Sequence, residues 1–598
     1  MSFHRHWLNR FARAFFGPTA RTRRARVGQC PIEALEERKY LSATMSLVNQ
    51  GHTLQIVGDR SDNHIAITQM DHGVQVTADG APTQSFTDIT AIMVSTGDGN
   101  DDVRVIYGFN PQPEPPGDTL TPSFDLRVSL GAGDDTFVGD IAFPPGPCRV
   151  FVDGSLGNDA VTFRTSVDPN ARALIGLSNP SAILTANLGA GDDVFNGDFA
   201  FPPGPCKVSI MGGDGNDNVS CIDRNTRSAI DSNVSSTLFS VDLGAGNDVF
   251  NGDFAFPPGP CKVTVNAGAG DDVVALNAML DHNSGGFNFT ATLGLGNDHF
   301  DGNIQFPADS SVGTDPLFPP GPCRVSVMGD GGADSISALI GLLPIAAPAG
   351  SNGELIGLTP VGDAQLPIEV VLNGGEGNDF VRNTFSNVNL NGRTTGDLQG
   401  GAGNDYVNQR FANATINAGL DLNANGGAGD DYVVVTAVSE SRTDTSSTPM
   451  LNVNSQVRMN LQGDLGNDHL IGLVIPCIMP VGSLDLIFSG GSGNDLFNLL
   501  IGLEPIELDT PSDPTGAPTQ DGPIRLAVLG GNGDDQLNLT VQNLGNSTSP
   551  FDVRLDGGAG RDTALASPGG RHQRLDELTH VRFKRASLGG PALRWFHP

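Results

Sequence analysis

The stretch LGAGDDTFVG, Leu130–Gly139, decides the fold, because a Gly-x-Gly-x-Asp core like its own recurs sixteen times along the 598-residue chain. In order, the repeated carboxylate is Asp101, Asp135, Asp159, Asp193, Asp217, Asp248, Asp272, Asp298, Asp334, Asp379, Asp405, Asp431, Asp468, Asp495, Asp535 and Asp562. Two residues after each stands an apolar side chain, from Val103 and Phe137 to Leu537, with Ala564 the weakest. Ahead of the turn apolar residues alternate, as in Val128 and Leu130, Val208 and Ile210, Val263 and Val265. Glycines such as Gly131 and Gly133 admit positive φ, and the Asn or Asp that follows can bond its own turn. The copied unit therefore reads strand, turn, strand.

Successive aspartates lie 24 to 45 residues apart, with short gaps of 24 to 27 interleaved among longer ones. A short gap suits one coil of a parallel β-solenoid built from about three strands of roughly 5 residues plus turns. A longer gap is then the same coil with a loop pushed out. The predicted fold is all-β, a parallel β-solenoid of β-helix or β-roll type with one Gly-x-Gly-x-Asp turn per coil. Antiparallel hairpins in sandwich domains are the alternative. In the solenoid the turns stack along one edge about 4.8 Å apart. Two carboxylates at that spacing repel by roughly 1 kcal/mol in a water-like dielectric and by about 3 to 4 kcal/mol at an effective constant near 20. A hard divalent cation between them is expected, since calcium prefers carboxylate and carbonyl oxygens. The Asn and Asp that alternate just before the repeated Asp, as at Asn158, Asp192 and Asn216, dilute the charge.

The unit resembles the calcium-binding nonapeptide of RTX proteins, Gly-Gly-x-Gly-x-Asp-x-apolar-x. The copies at Asp217, Asp379, Asp405, Asp431, Asp495, Asp535 and Asp562 match it through the apolar position. The resemblance implies calcium held between coils by the sixteen Asp side chains and turn carbonyls. Four copies depart from it by carrying Leu130, Leu188, Leu243 or Leu293 in place of the first Gly, and no copies run in tandem nines. Asx turns without an ion are the alternative.

The net charge of −33 is unevenly spread. Residues 1–39 hold nine Arg or Lys against three Glu, and residues 563–598 hold six against two acids, which leaves −43 between them. A polyanionic body excludes nucleic acid as its partner and favours cations and cationic surfaces. Residues 1–44 are an Arg-rich segment with Trp7, Phe11, Phe15 and Phe16 but no secretory apolar run, and no stretch of the chain reads as a membrane span. Within it Ile32–Ala43 is similar to the LEPR-xLL segment of planctomycete exported proteins, with Glu37 in place of Pro. That similarity implies an extracellular or cell-surface location; a disordered basic tail is the alternative. Residues 45–109 read as capping coils, with Asp62 of a worn copy in the Asp place. Residues 110–562 are the solenoid, and residues 563–598 a basic cap or tail.

Four FPPGPC segments end at Cys148, Cys206, Cys261 and Cys323. Proline cannot donate to a ladder, so these are corners, and each Cys opens a strand. Thiols in alternate coils lie about 9 to 10 Å apart, beyond disulfide reach, and are expected free. A soft-metal column would lack the paired spacing of zinc sites. Residues 338–368, 438–455 and 504–523 read as loops where partners, such as surface glycans or other surface proteins, would bind. Paired carboxylates such as Asp134 and Asp135 could do acid and base chemistry, but they recur in many equivalent copies, unlike one active site. The expected role is a secreted or cell-surface structural or adhesive calcium-binding protein, not an enzyme. A polysaccharide-processing enzyme on the same scaffold and a passive spacer are the alternatives.

Overall fold

A computed structural model describes residues 43–70, 73–108, 123–144, 146–167, 181–201, 204–223, 236–255, 260–280, 286–306, 322–341, 362–364, 367–437, 451–478, 482–503, 523–543, 551–569 and 581–583. The alternation of apolar residues becomes two long sheets whose inner faces share one hydrophobic core. Strands β1 (Thr44–Val48), β2 (Thr53–Val57), β3 (His64–Met70), β4 (Gly73–Ala78), β5 (Gln84–Thr87), β6 (Ala91–Asp98) and β7 (Asp102–Tyr107) open the chain. The first full repeats follow as β8 (Phe124–Ala132), β9 (Thr136–Phe143), β10 (Cys148–Leu156) and β11 (Ala160–Val167).

Each coil has a strand in the first sheet, the Gly-x-Gly-x-Asp turn, and a strand in the second sheet. Thus β8 pairs in parallel with β10 through Val128↔Val152, and β9 with β11 through Phe137↔Val161. The parallel register continues to Ala527↔Arg554 in the first sheet and Leu537↔Ala564 in the second. The solenoid is confirmed and the sandwich excluded. The strand count per coil is corrected from three short strands to two long ones, nine residues in β8 and eight in β9. A gap of 24 residues fits either division, and unbroken in-out alternation across nine residues, with no corner, selects two.

Aromatic packing holds the two layers together. Phe239, on the strand Thr237–Ala245, meets Phe254, on Val249–Ala255 across the core, edge-on at 5.1 Å between ring centres. Small residues make room: Gly139, Gly197, Gly252 and Gly302 face inward in alternate coils, between Phe163, Cys221 and Leu276. At Gly197 an added Cβ would lie 2.3 Å from the Phe199 ring.

The amino-terminal end is closed by antiparallel strands. β1 folds back on β2, and β4 and β5 fold back from β3, covering a sheet end that would otherwise template association. Capping is narrower than the whole of 45–109, because β2, β3, β6 and β7 are already coils in parallel register. At the other end Thr563–Gly569 completes a coil beyond residue 562, and Val581–Phe583 adds a strand beside Phe551–Asp556. Residues expected as loops include strands: Ala338–Gly341 belong to Ser335–Gly341, and Gly362–Ala364 and Leu451–Val453 each pair with the second sheet. Residues 504–522 and 1–42 lie outside the described residues. Among the described residues no helix is long and apolar enough to cross a membrane.

The turn glycines are fixed by the stacking. Gly133 sits at φ 141°, and a Cβ there would lie 1.9 Å from the Gly99 carbonyl oxygen of the preceding coil. Gly133→Ala is therefore expected to lower the thermal unfolding midpoint, by the equivalent of at least about 1–2 kcal/mol for the left-handed backbone alone. Circular dichroism melting checks this; an unchanged midpoint would show that the coils do not stack so closely.

Candidate functional site: the aspartate column

All sixteen sequence-predicted aspartates are brought into one column. The backbone N–H of Asp101 donates to Asp135 Oδ1 at 2.7 Å, that of Asp135 to Asp159 Oδ1 at 2.8 Å, and that of Asp159 to Asp193 Oδ1 at 2.6 Å. The series continues without a break through Asp217, Asp248, Asp272, Asp298, Asp334, Asp379, Asp405, Asp431, Asp468, Asp495 and Asp535 to Asp562. Its first rung is Asn63, whose N–H donates to Asp101 Oδ1 at 2.7 Å. This corrects the frame of the worn copy: Asn63, not Asp62, stands in the Asp place. The apolar residue two positions on, Ile65, is the signal that could have found it, since it pairs with Val103.

A second ladder runs beside the first in the opposite sense. The N–H of Asp134 donates to Asn100 Oδ1 in the preceding coil, that of Asn158 to Asp134 Oδ1, and that of Asp192 to Asn158 Oδ1. Asp62 belongs here, accepting from Asn100 N–H. The alternating Asn and Asp thus form their own exposed column and leave the charge of the inner one undiluted. In this outer column no two acids occupy consecutive coils.

The inner column differs in burial. From Asp101 to Asp535 every member is at most 2% exposed, and all fifteen leave a buried Oδ2 without a hydrogen-bond partner. Asp562, at the end, is half-buried. In the coils that have Gly at the first repeat position, Oδ2 lies over that glycine and close to the next coil's carbonyl. A Cβ on Gly154 would be 2.3 Å from Asp159 Oδ2 and 2.2 Å from the Leu188 carbonyl oxygen, and Gly212 stands likewise between Asp217 Oδ2 and Leu243. A buried carboxylate oxygen that faces a carbonyl and has no donor of its own needs a proton or a cation. In the coil of Asp101 Thr96 takes the place of that glycine, and its hydroxyl donates to the Leu130 carbonyl.

Burial accordingly pushes these carboxyls up, to about 7 at Asp159, Asp217, Asp272, Asp334, Asp405 and Asp468. It pushes Asp135, Asp431 and Asp535 up to about 6. The donated N–H opposes the shift, and at most of these sites the flanking aspartates add to it. Asp101, Asp193, Asp248, Asp298, Asp379, Asp495 and Asp562 are also raised, burial being the first cause.

Among the described residues no three acidic, His or Cys side chains are grouped to hold a metal ion. An ion in the column would draw on one Oδ2 per coil and on backbone carbonyls, oxygens of the type calcium takes. The four stacked cysteines lie in one row as expected, separated by Ala182, Thr237 and Phe287. All four are buried and outside any disulfide, and desolvation pushes Cys148, Cys206 and Cys323 up to about 12. No family model matches the chain, and neither does any curated protein or solved structure.

The column sets a pH dependence whose sign is fixed by the upward shifts. Protons held more tightly in the fold stabilise it fully below the unfolded carboxylate value, and this stability is lost as pH rises through about 6 to 7. The melting midpoint in chelator is expected to fall between pH 5 and pH 8. Asp217→Asn keeps an Oδ1 acceptor and adds a donor toward the Leu243 carbonyl, so it is expected to raise the midpoint at pH 8. Asp272→Ala removes the acceptor of Asp248 N–H and is expected to cost about 1–3 kcal/mol at either pH. A midpoint that rises from pH 5 to pH 8 in the unsubstituted chain would contradict a column held together by protons.

Proposed function

We propose that this chain is a secreted or cell-surface structural repeat protein with an adhesive role, a solenoid whose aspartate column is completed by calcium. The observation that carries the reading is the unbroken run of buried carboxylates. No Lys, Arg or His appears among the groups that shift them. With carboxyls pushed up to about 7, the column is partly ionised at neutral pH, and each ionised neighbour raises the demand for positive charge. Calcium outside the cell meets that demand and couples folding to export. A site copied in every coil serves the whole length of the fold, as a structural element does, whereas catalysis normally needs one constellation. The RTX resemblance and the basic, export-like leader point the same way.

A specific observation favours a second reading, a passive spacer neutralised by protons alone: the same raised carboxyls can hold a proton on Oδ2. The two readings part in a melting experiment. Under the calcium reading, millimolar calcium raises the midpoint at pH 8 and has little effect at pH 5, where protons already fill the column. Magnesium, which dehydrates reluctantly and demands octahedral geometry, has a smaller effect. An equal midpoint with calcium and with chelator at pH 8 would eliminate calcium and leave the spacer.

A further inference from the structure

The outward residue that follows each FPPGPC cysteine forms a row on the first sheet: Arg149, Lys207, Lys262 and Arg324, one in every second coil. Lys207 and Lys262 are the only lysines between residues 40 and 583 of a strongly anionic body. Between the basic residues stand Ile183 and Leu238, 39% and 37% exposed. The next outward row is hydroxylic in consecutive coils, with Thr185, Ser209, Ser240, Thr264, Thr290 and Ser326. Pro205, Pro260 and Pro322 wall one side of a groove of about 730 Å³ over this surface.

The same row is self-compensated farther along the chain. Arg324 pairs with Glu369, and Asp485 sits between Arg458 at 3.8 Å and Arg525 at 3.5 Å. Among the described residues no carboxylate pairs with Lys207 or Lys262. One half of a single structural row is thus ion-paired while the other half presents unopposed positive charge.

We propose that this groove binds an acidic polysaccharide carrying one carboxylate or sulfate on alternate sugars, laid along the solenoid axis. Basic residues two rungs apart are separated by about 9 to 10 Å, while hydroxyls recur at about 4.8 Å. A pyranose chain advances by about one rung per sugar, so an anion on alternate sugars meets Arg149, Lys207 and Lys262 in turn. Sugar hydroxyls meet the Ser and Thr row at every rung. The apolar faces of the intervening sugars lie on Ile183 and Leu238. An extended acidic peptide repeats its same-face side chains at about 6.6 to 6.8 Å and falls out of step with the row. This site is separate from the aspartate column and stands whether or not calcium fills it.

The full-length protein, titrated by calorimetry at low salt, is expected to bind hyaluronan oligosaccharides and not uncharged dextran. Lys207→Gln with Lys262→Gln is expected to weaken binding by about tenfold and flatten its salt dependence, with the circular dichroism spectrum unchanged. Leu238→Ser with both lysines kept is expected to weaken binding without changing the salt slope, a readout that simple charge attraction would not give. Failure to bind hyaluronan, equal affinity for poly-glutamate, or full affinity in the double lysine variant would overturn the proposal.

Discussion

Every coil depends on the donor that the turn leaves exposed to its neighbours. A tight Gly-x-Gly-x-Asp turn directs the N–H of its Asp toward the following coil and the N–H of the residue before it toward the preceding one. Neither can be satisfied within the turn. Each coil is therefore bonded in both directions by side chains that superpose on copies of themselves. A register slip of one residue would turn the apolar faces outward as well as break these bonds. The glycines follow from the same demand, since the carbonyl of one turn occupies the space a side chain would need in the next.

The two ladders impose different chemistry on similar side chains. In the exposed column, where water screens charge, at least one Asn stands between successive Asp, so that acids are never adjacent. In the buried column, where repulsion is strongest, the residue is Asp in all sixteen copies. Hydrogen bonding to Oδ1 alone does not require Asp, because an amide oxygen accepts equally well, as Asn100 does from Asp134 N–H in the outer ladder. What Asp alone supplies is an oxygen that can be ionised, and that oxygen is the one left without a donor. The choice of residue thus points to a positive charge on Oδ2, whether proton or calcium.

Much of this architecture was legible in the sequence, for identifiable reasons. Period-two alternation before and after a fixed turn gave the strands, and the recurring carboxylate gave the stacking. The number of strands per coil was not legible, because a 24-residue coil admits two or three corners. Asn63 escaped because the repeat was keyed to a carboxylate, although Ile65 marked the position. The burial of the column was not legible, because the repeat pattern does not say which of two adjacent turn side chains faces inward, and only the folded structure sets Oδ2 against glycine and carbonyl. Arg149, Lys207, Lys262 and Arg324 each follow a corner cysteine, but a basic residue on the outward face of a strand carries no signal until the register aligns the four.

The surface period has its origin in the core. Between residues 137 and 300 large and small inward residues alternate from coil to coil, Phe137 under Val161, Val161 under Phe195, Gly139 under Phe163 and Phe163 under Gly197, so that each ring fills space its smaller neighbour leaves. Leu130, Leu188, Leu243 and Leu293 fall in the same alternate coils, as do the FPPGPC corners. The true unit between residues 130 and 323 is therefore two coils. Any outward residue copied with that unit, including the basic residue after each Cys, must recur at two rungs. The surface comb with twice the rung spacing is thus copied together with the alternating phenylalanine core beneath it.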